Sequence, residues 1–386
     1  MGFLKNIIKI LPVILLLFVA CGEQPIIIKY FKIDGPGIKM FGSCNERNFY
    51  VNEDLGDSLQ LIWQQETTGS YGNFSPVILD DYILVGDLSG NLTSFNRLTG
   101  KKNGAVEEKG EIAVSPVIVK YKVFFVLNEL REENSILYSY DLMRGKILSE
   151  EYFEGVSNNE IIYADDMLYV LTVDGVLHKF NDVGYPVDKI DTKVMVQADP
   201  AAHGDFIYWG NQKGEIISVN KNTMKINYRK KISDAFEAGI TISRETGFIG
   251  DVDGNVFSIN LQNGEVIWKY KTKAKIRGFV AYDNNAVYIG NLAGSFYALN
   301  KFNGDLIFKT VSEGLFNTAP LVFNDYVVQP NLNEKVLIID KRTGEIKKNI
   351  EFERRVKMTP VFYDGIIYFG ADRGQVYALK PVKDNL

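Results

Sequence analysis

The residues that could support acid–base catalysis or bind a metal are few and scattered. The two histidines, His178 and His203, do not stand at zinc-ligand spacing from each other or from a cysteine. Neighbouring carboxylates occur at Asp80-Asp81, Glu150-Glu151 and Asp165-Asp166, in predicted turns or beside strands, where we expect them to be solvated. A catalytic pair would need two carboxyl groups that converge in one cleft. Because a nucleophile elbow, a phosphate-binding loop and a dinucleotide-binding glycine motif are also absent, we predict no catalytic residue, no cofactor and no metal site.

The residues that precede Cys21 indicate a covalent modification of this cysteine. Residues 1–20 carry two lysines near the start, no acidic residue and an apolar run from residue 10 to residue 20, as in a secretory signal peptide. The sequence Phe-Val-Ala-Cys-Gly at residues 18–22 is similar to a bacterial lipobox, in which the cysteine is acylated after cleavage. We therefore predict lipidation of Cys21 and attachment to a membrane surface. A simple signal peptide or an uncleaved anchor is the alternative.

The second cysteine and the net charge argue against a structural disulfide and against nucleic-acid binding. If Cys21 is acylated, Cys44 has no partner within the chain, so we expect no structural disulfide and read Cys44 as an incidental thiol. The formal charge is −5 at pH 7, which gives no electrostatic reason to expect nucleic-acid binding.

The elements that carry these residues follow a repeat. Apolar runs end at a constant spacing of 40 residues, at Gly210, Gly250, Gly290, Pro330 and Gly370. One complete unit is residues 240–271, in which Asp-Gly and Asn-Gly dipeptides mark two hairpin turns between β-branched and aromatic runs. Each unit is therefore predicted to form four antiparallel strands.

The number of units follows from the same pattern. A clear earlier copy contains Gly86 and Gly90, and two decayed copies fit at residues 126–145 and 170–184, which makes eight repeats. Four-stranded units of about 40 residues are typical of β-propellers, whose blades gain stability by packing on their neighbours. The predicted fold is all-β, an eight-bladed β-propeller of four-stranded antiparallel blades. The run Leu59 to Trp63 resembles a fourth strand, and the last unit lacks one, so we predict that an N-terminal strand closes the ring in the last blade.

The predicted domain boundaries place a signal peptide at residues 1–20, a lipidated N-terminus and tether at 21–57, the propeller at 58–381 and a C-terminal tail at 382–386. Residues 22–57 do not have the pattern of a blade. They could form a spacer that holds the ring away from the membrane, or a strand packed on the side of the propeller. Large aromatic residues in fourth strands, including Trp63, Trp268 and Phe308, are expected to pack between blades.

The repeat G-N-V-F-S-I-N-x-x-N-G-E-V-I-W at residues 254–268 resembles the quinoprotein-type propeller repeat. With the lipobox, the tether and eight units, nearly the whole chain resembles the BamB family of lipoproteins in the outer-membrane β-barrel assembly machinery. The resemblance implies a non-enzymatic scaffold, held by its lipid on the periplasmic face of the outer membrane. It implies docking on the periplasmic POTRA domains of a BamA-like barrel protein, with unfolded outer-membrane proteins as further partners.

The same resemblance implies two neighbouring interblade loops as the partner-binding site. The first corresponds here to Val194, Val196 and Gln197, and the second to Asp234 and Glu237. Gln197 stands where the family motif has a basic residue. Two other functions stay open at this stage: a quinone (PQQ)-dependent oxidoreductase or small-ligand binder that uses the central channel, and a surface-displayed adhesion propeller.

Overall fold

The computed structural model describes residues 23–33, 35–129 and 131–382, and the regular secondary structure of these residues consists of β-strands. Eight antiparallel sheets stand around a central channel, so the predicted eight-bladed propeller is confirmed. The predicted signal peptide, Cys21 and nearly all of the predicted tail lie outside the described residues. No helix in the described part of the chain is long and apolar enough to cross a bilayer.

The strands are as follows in chain order. Two precede the first blade: β1 (Gly37–Ile38) and β2 (Ser58–Glu66). Blades 1 and 2 contain β3 (Val77–Leu79), β4 (Tyr82–Gly86), β5 (Asn91–Asn96), β6 (Lys102–Glu107), β7 (Val117–Val119), β8 (Lys122–Glu129), β9 (Asn134–Asp141) and β10 (Lys146–Glu154). Blades 3 and 4 contain β11 (Ile162–Ala164), β12 (Met167–Leu171), β13 (Val176–Asn181), β14 (Pro186–Asp191), β15 (Ala201–His203), β16 (Phe206–Gly210), β17 (Glu215–Asn220) and β18 (Lys225–Lys231).

Blades 5 and 6 contain β19 (Thr241–Ser243), β20 (Thr246–Gly250), β21 (Asn255–Asn260), β22 (Val266–Lys271), β23 (Ala281–Tyr282), β24 (Ala286–Gly290), β25 (Ser295–Asn300) and β26 (Leu306–Val311). Blades 7 and 8 contain β27 (Leu321–Val322), β28 (Tyr326–Asn331), β29 (Lys335–Asp340), β30 (Ile346–Glu351), β31 (Val361–Tyr363), β32 (Ile366–Ala371) and β33 (Gln375–Val382). The outermost strand of blade 8 is β2, which pairs antiparallel with β33 and sets Leu61 opposite Leu379.

The periodic glycines are explained by packing within each blade. A Cβ at Gly210 would stand 2.5 Å from the Cβ of Phe236, and a Cβ at Gly290 would stand 2.3 Å from that of Phe316. In both cases the aromatic residue comes from the loop that leaves the same blade. The glycines that recur every 40 residues therefore stand at the end of the second strand of a blade, where the loop that leaves this blade packs against it.

The two faces of the ring carry different connections. The loops that lead from the fourth strand of one blade to the first strand of the next lie on one face, here called the interblade face; residues 192–200 and 232–240 are two such loops. The turns that join first to second strands and third to fourth strands lie on the opposite face, here called the turn face.

Part of the N-terminal segment lies inside the ring. β1 pairs with β3, the innermost strand of blade 1. Beyond β1, the backbone accepts hydrogen bonds from the innermost strands of four further blades: Ile118 N to Lys39 O (2.8 Å), Ala202 N to Asn45 O (2.9 Å), Ile242 N to Glu46 O (2.9 Å) and Val322 N to Phe49 O (2.9 Å). These strands would otherwise present free edges to the channel. Residues 39–53, called the channel plug below, therefore close the channel at the turn face. Residues 24–28 of the same segment instead pack on the side of the propeller, between blades 1 and 2.

Three buried side chains anchor the channel plug. Phe41 and Phe49 pack on each other and on Phe279 of an interblade loop, with ring centroids 5.0 to 5.5 Å apart. Arg47 is fully buried, and its guanidinium donates to four carbonyl oxygens, those of Phe41 (2.9 Å), Glu160 (3.3 Å), Ile161 (3.0 Å) and Pro200 (3.1 Å). Because three of these four carbonyl groups belong to the ring and the fourth to the plug, the plug and the ring stabilise each other.

Candidate functional site

The first predicted partner loop alternates between buried and exposed side chains. Val194 and Val196 are buried, at 7% and 0% exposure, whereas Met195 between them is 55% exposed. Val196 packs in the apolar core between blades 3 and 4. Both valines therefore hold the loop in place in this structure, and their part in partner binding stays a prediction. The outward residues are Met195, which the sequence reasoning missed although the alternation V-M-V-Q could have revealed it, and Gln197.

Within the part of the chain that the structure describes, the second predicted loop presents one carboxylate without an ion pair and one that is already paired. Asp234 is exposed. The Glu237 carboxylate accepts from Lys275 Nζ at 2.7 Å and lies 3.0 Å from Arg277 Nε, both on the following interblade loop. The Glu237 side chain is 12% exposed. Its charge is therefore compensated within the chain, and Asp234 is the acidic group directed at solvent.

A single glutamine holds the two loops side by side. Gln212, in the turn after β16, donates its backbone N–H to Met195 O at 3.0 Å and its side-chain amide to Phe236 O at 3.0 Å. The structure thus brings Met195 and Gln197 together with Asp234 on the interblade face. This adjacency was an expectation of the family resemblance, and its geometry depends on a residue that the sequence did not single out.

The channel opens on the same face. A cavity of about 390 Å³ lies at its mouth, and Phe41 of the channel plug is part of its lining. Equivalent positions of successive interblade loops line the rim, namely Gln197, Glu237, Arg277 and Asn317. Two of the predicted partner-binding residues, Gln197 and Glu237, are therefore also residues of the channel mouth.

A buried pair of carboxylates lies beneath this rim. Glu160, 4% exposed, accepts hydrogen bonds from the Ser115 backbone N–H and hydroxyl, at 3.1 and 3.0 Å, and its own N–H donates to Asp199 Oδ1 at 2.7 Å. Burial, with the nearby charge of Asp199, raises the pKa of Glu160 to about 8. Burial also raises the pKa of Asp199 to about 6, against the lowering effects of the Glu160 N–H and of Arg47. Two carboxyl groups therefore converge near Arg47, where the sequence had suggested none.

The two histidines and Cys44 lie in surroundings that suggest a structural role. His178 is buried against Phe153, and burial lowers its pKa. His203 faces Glu46 of the channel plug at 3.3 Å. Cys44 lies in the plug as a free thiol whose pKa is raised by burial. Across residues 23–33, 35–129 and 131–382, no group of three or more His, Cys, Asp or Glu side chains is placed to hold a metal ion.

The neighbouring carboxylates predicted to be solvated do not face one another across a cleft. Asp81 lies on the turn face, 3.5 Å from the Arg97 guanidinium, and Asp165 lies 2.7 Å from Lys221 Nζ. Both side chains are more than half exposed. Their surroundings agree with solvated turn residues.

Comparison with protein families matches residues 186–275 and 252–383 to the PQQ_2 family, described as outer membrane protein assembly factor BamB. Together the two matches reach across about half of the chain. The chain belongs to the BamB family. No curated protein sequence matches it.

Solved structures similar to this BamB-family chain include a BamB and quinohemoprotein alcohol dehydrogenases. BamB from Moraxella catarrhalis superposes with a TM-score of 0.70 at 14% identity, over 84% of this chain and 100% of that one. Quinohemoprotein alcohol dehydrogenase ADHIIG from Pseudomonas putida HK5 gives a TM-score of 0.76 at 11% identity, over 89% and 80%. The quinohemoprotein alcohol dehydrogenase from Comamonas testosteroni gives 0.75 at 11% identity, over 91% and 81%. At such low identities these likenesses establish the propeller fold, and function has to be argued from the site.

Proposed function

We propose that this protein is a non-enzymatic scaffold of outer-membrane β-barrel assembly, and that it binds the periplasmic POTRA domains of a BamA-like barrel protein through its interblade face. Membership of the BamB family supports the assembly role. The observation that carries the docking site is the adjacency of Met195, Gln197 and Asp234, which Gln212 fixes on one face of a rigid ring.

The chemistry of this surface suits a protein partner. Met195 offers an exposed, adaptable apolar side chain, and such residues fill partner pockets well. Gln197 and Asp234 surround it with polar groups, as at the rim of an interface. Since Gln197 replaces the basic residue of the family motif, we expect the contact to depend on the apolar anchor more than on a salt bridge at this position.

The proposed location follows from the predicted lipidation of Cys21. Acylation would hold the chain on the periplasmic face of the outer membrane, where the POTRA domains are accessible. Metabolic labelling with a radioactive fatty acid would test this part: label should enter the wild-type protein and be absent from Cys21→Ser. Label retained in Cys21→Ser would contradict it.

Binding of the soluble mature chain to a POTRA fragment of the matching barrel protein tests the docking site. Met195→Asp should weaken binding by about tenfold or more, because it places a charge at the centre of an apolar contact. Leu315→Asp is the matched control, since Leu315 occupies the same position three repeats further on and is 41% exposed. Equal affinities for both variants and the wild type would refute the proposed site.

A quinone-dependent oxidoreductase is the second candidate, favoured only by the shared propeller fold. The donor set does not fit a quinone beside a calcium ion. Among the described residues of the channel mouth, Glu237 is paired with two cations, Glu160 is bonded to Ser115 and Asp199 accepts from the Glu160 N–H, so each carboxylate of the lining already has a partner within the chain. A titration with pyrroloquinoline quinone and calcium should leave the melting temperature unchanged. A saturable rise in the melting temperature would instead support a quinone-dependent enzyme.

A further inference from the structure

The N-terminal chain reaches the ring at the crevice between blades 1 and 2. Gln24 O accepts from Ala105 N at 2.8 Å, and Ile28 N donates to Leu142 O at 2.7 Å. The side chains of Ile26 and Ile28 are fully buried in this crevice. The first described residue, Glu23, pairs with Lys102 of blade 1 at 2.7 Å. The chain that leads to Cys21 therefore leaves the ring at this edge, and no long spacer separates the two.

Apolar side chains are exposed beside this point. Tyr30 is 92% exposed, and it shares a surface hollow with Arg97, the neighbour of Leu98. Leu98 and Met143 are 46% and 47% exposed, at equivalent positions in the turns before the fourth strands of blades 1 and 2. In blades 4, 5 and 7 that position is Asn222, Gln262 or Arg342. Blades 3 and 6 have Val183 and Phe302 there, so this turn position is apolar in four blades and polar in three, and the two apolar side chains beside the arriving N-terminal chain are those of blades 1 and 2.

Basic side chains surround the apolar ones. Lys29, Lys32 and Lys101 are exposed, and within the described part of the chain none of them forms an ion pair. Acidic groups lie on the same surface: Arg97 pairs with Asp364 at 2.7 Å and lies 3.5 Å from Asp81, and Asp80 accepts from the Lys32 backbone N–H at 3.0 Å. The lysines are therefore interspersed with carboxylates, of which Asp81 and Asp364 are compensated by Arg97.

We propose that Lys29, Tyr30, Lys32, Leu98, Lys101 and Met143, here called the anchor-side patch, rest on an anionic phospholipid surface. Exposed aromatic and aliphatic side chains enter the interface between headgroups and acyl chains, and lysines are attracted to lipid phosphates. Because the patch lies on the turn face, this contact directs the interblade face, with the channel mouth and the proposed docking surface, away from the membrane.

Vesicle co-sedimentation of the whole mature chain carrying Cys21→Ser tests the patch without an acyl anchor. The vesicles are phosphatidylcholine alone, or phosphatidylcholine and phosphatidylglycerol in equal parts. We expect the protein to sediment with the anionic vesicles at low salt and to be released by added salt. Lys29→Glu with Lys32→Glu should lower the partition coefficient by about tenfold or more, because each basic group near the surface contributes about fivefold.

The apolar part is tested by Tyr30→Ser with Met143→Ser, which should also reduce sedimentation several-fold. Phe302→Ser is the matched control: Phe302 is 69% exposed at the equivalent turn of blade 6, across the ring. Lys271→Glu with Lys273→Glu controls for the change in net charge. The proposal would be overturned if the wild-type chain did not bind anionic vesicles, or if it bound both vesicle types equally. Equal losses of binding in the patch and control variants would also overturn it. Such failures leave POTRA binding untouched, since that measurement involves no lipid.

Discussion

The indole of Trp268 in blade 5 lies directly on Gly304 in blade 6. Its Nε1–H donates to Lys301 O at 3.0 Å, and a Cβ at Gly304 would stand 2.7 Å from the ring. The same relationship joins Trp63 of the closing strand to Gly100 of blade 1, with a bond of 2.8 Å to Arg97 O. An aromatic residue in the fourth strand of one blade thus packs on a turn glycine of the next, which explains why both recur in the repeat.

Gly304→Ala should destabilise the ring by about 2 to 4 kcal/mol. The residue has φ +77°, which costs about 1 kcal/mol with a side chain, and the overlap with Trp268 adds about 1 to 3 kcal/mol. Gly365→Ala is the control, because Gly365 has φ +74° with no atom within 4 Å of the added Cβ. Urea unfolding measures both variants. Equal losses would mean that the interblade contact contributes nothing at this position.

Replacement of Arg47 should loosen the channel plug. Arg47→Met removes a buried cation from four carbonyl groups, and we expect a loss of at least about 2 kcal/mol in the free energy of unfolding. Trypsin should then cleave after Lys39 in the native protein faster than in the wild type. Arg144→Met, at a side chain that is 71% exposed, should change neither quantity. Unchanged protection at Lys39 in Arg47→Met would show that the plug does not depend on this residue.

Stability should fall as the pH rises through the titration of Glu160. Burial beside Asp199 raises the pKa of Glu160 in the folded protein to about 8, whereas in the unfolded chain the pKa is near its ordinary value of 4.5. Between these two values the folded state binds more protons, so the free energy of unfolding decreases with increasing pH. Glu160→Gln should flatten this part of the profile and make the variant more stable than the wild type above pH 8. Thermal melts from pH 5 to pH 9 measure it, and parallel profiles for the two proteins would contradict the assignment.

Charge removal should distinguish the two acidic residues of the second loop. Asp234→Asn should weaken POTRA binding, because this carboxylate is free to meet a partner. Glu237→Gln should have a smaller effect on binding and cost less than about 1 kcal/mol in stability, because its carboxylate is paired with Lys275 and Arg277, which are partly exposed. A larger loss of affinity in Glu237→Gln than in Asp234→Asn would reverse this order.

The sequence by itself determined the ring. Turn dipeptides such as Asn263-Gly264, the apolar runs and the period of 40 residues express local backbone sterics and strand alternation, so they predicted the strands and the eight blades. The family was predicted separately, from the resemblance of the repeat and the lipobox to known proteins. The aromatic residues of the fourth strands were likewise predicted to pack between blades, and Trp268 of blade 5 does pack on blade 6.

Only the tertiary structure decided how residues distant in sequence meet at the channel. Nothing local to Arg47 indicates that carbonyl groups more than 100 residues away will surround it, because those partners converge only when the ring closes. For the same reason the sequence could not place residues 39–53 inside the channel, bring Glu160 near Asp199, or show that Glu237 is already paired. The repeat is encoded in short-range backbone geometry, whereas the plug and the candidate site depend on strand edges and loops that the closed ring brings together.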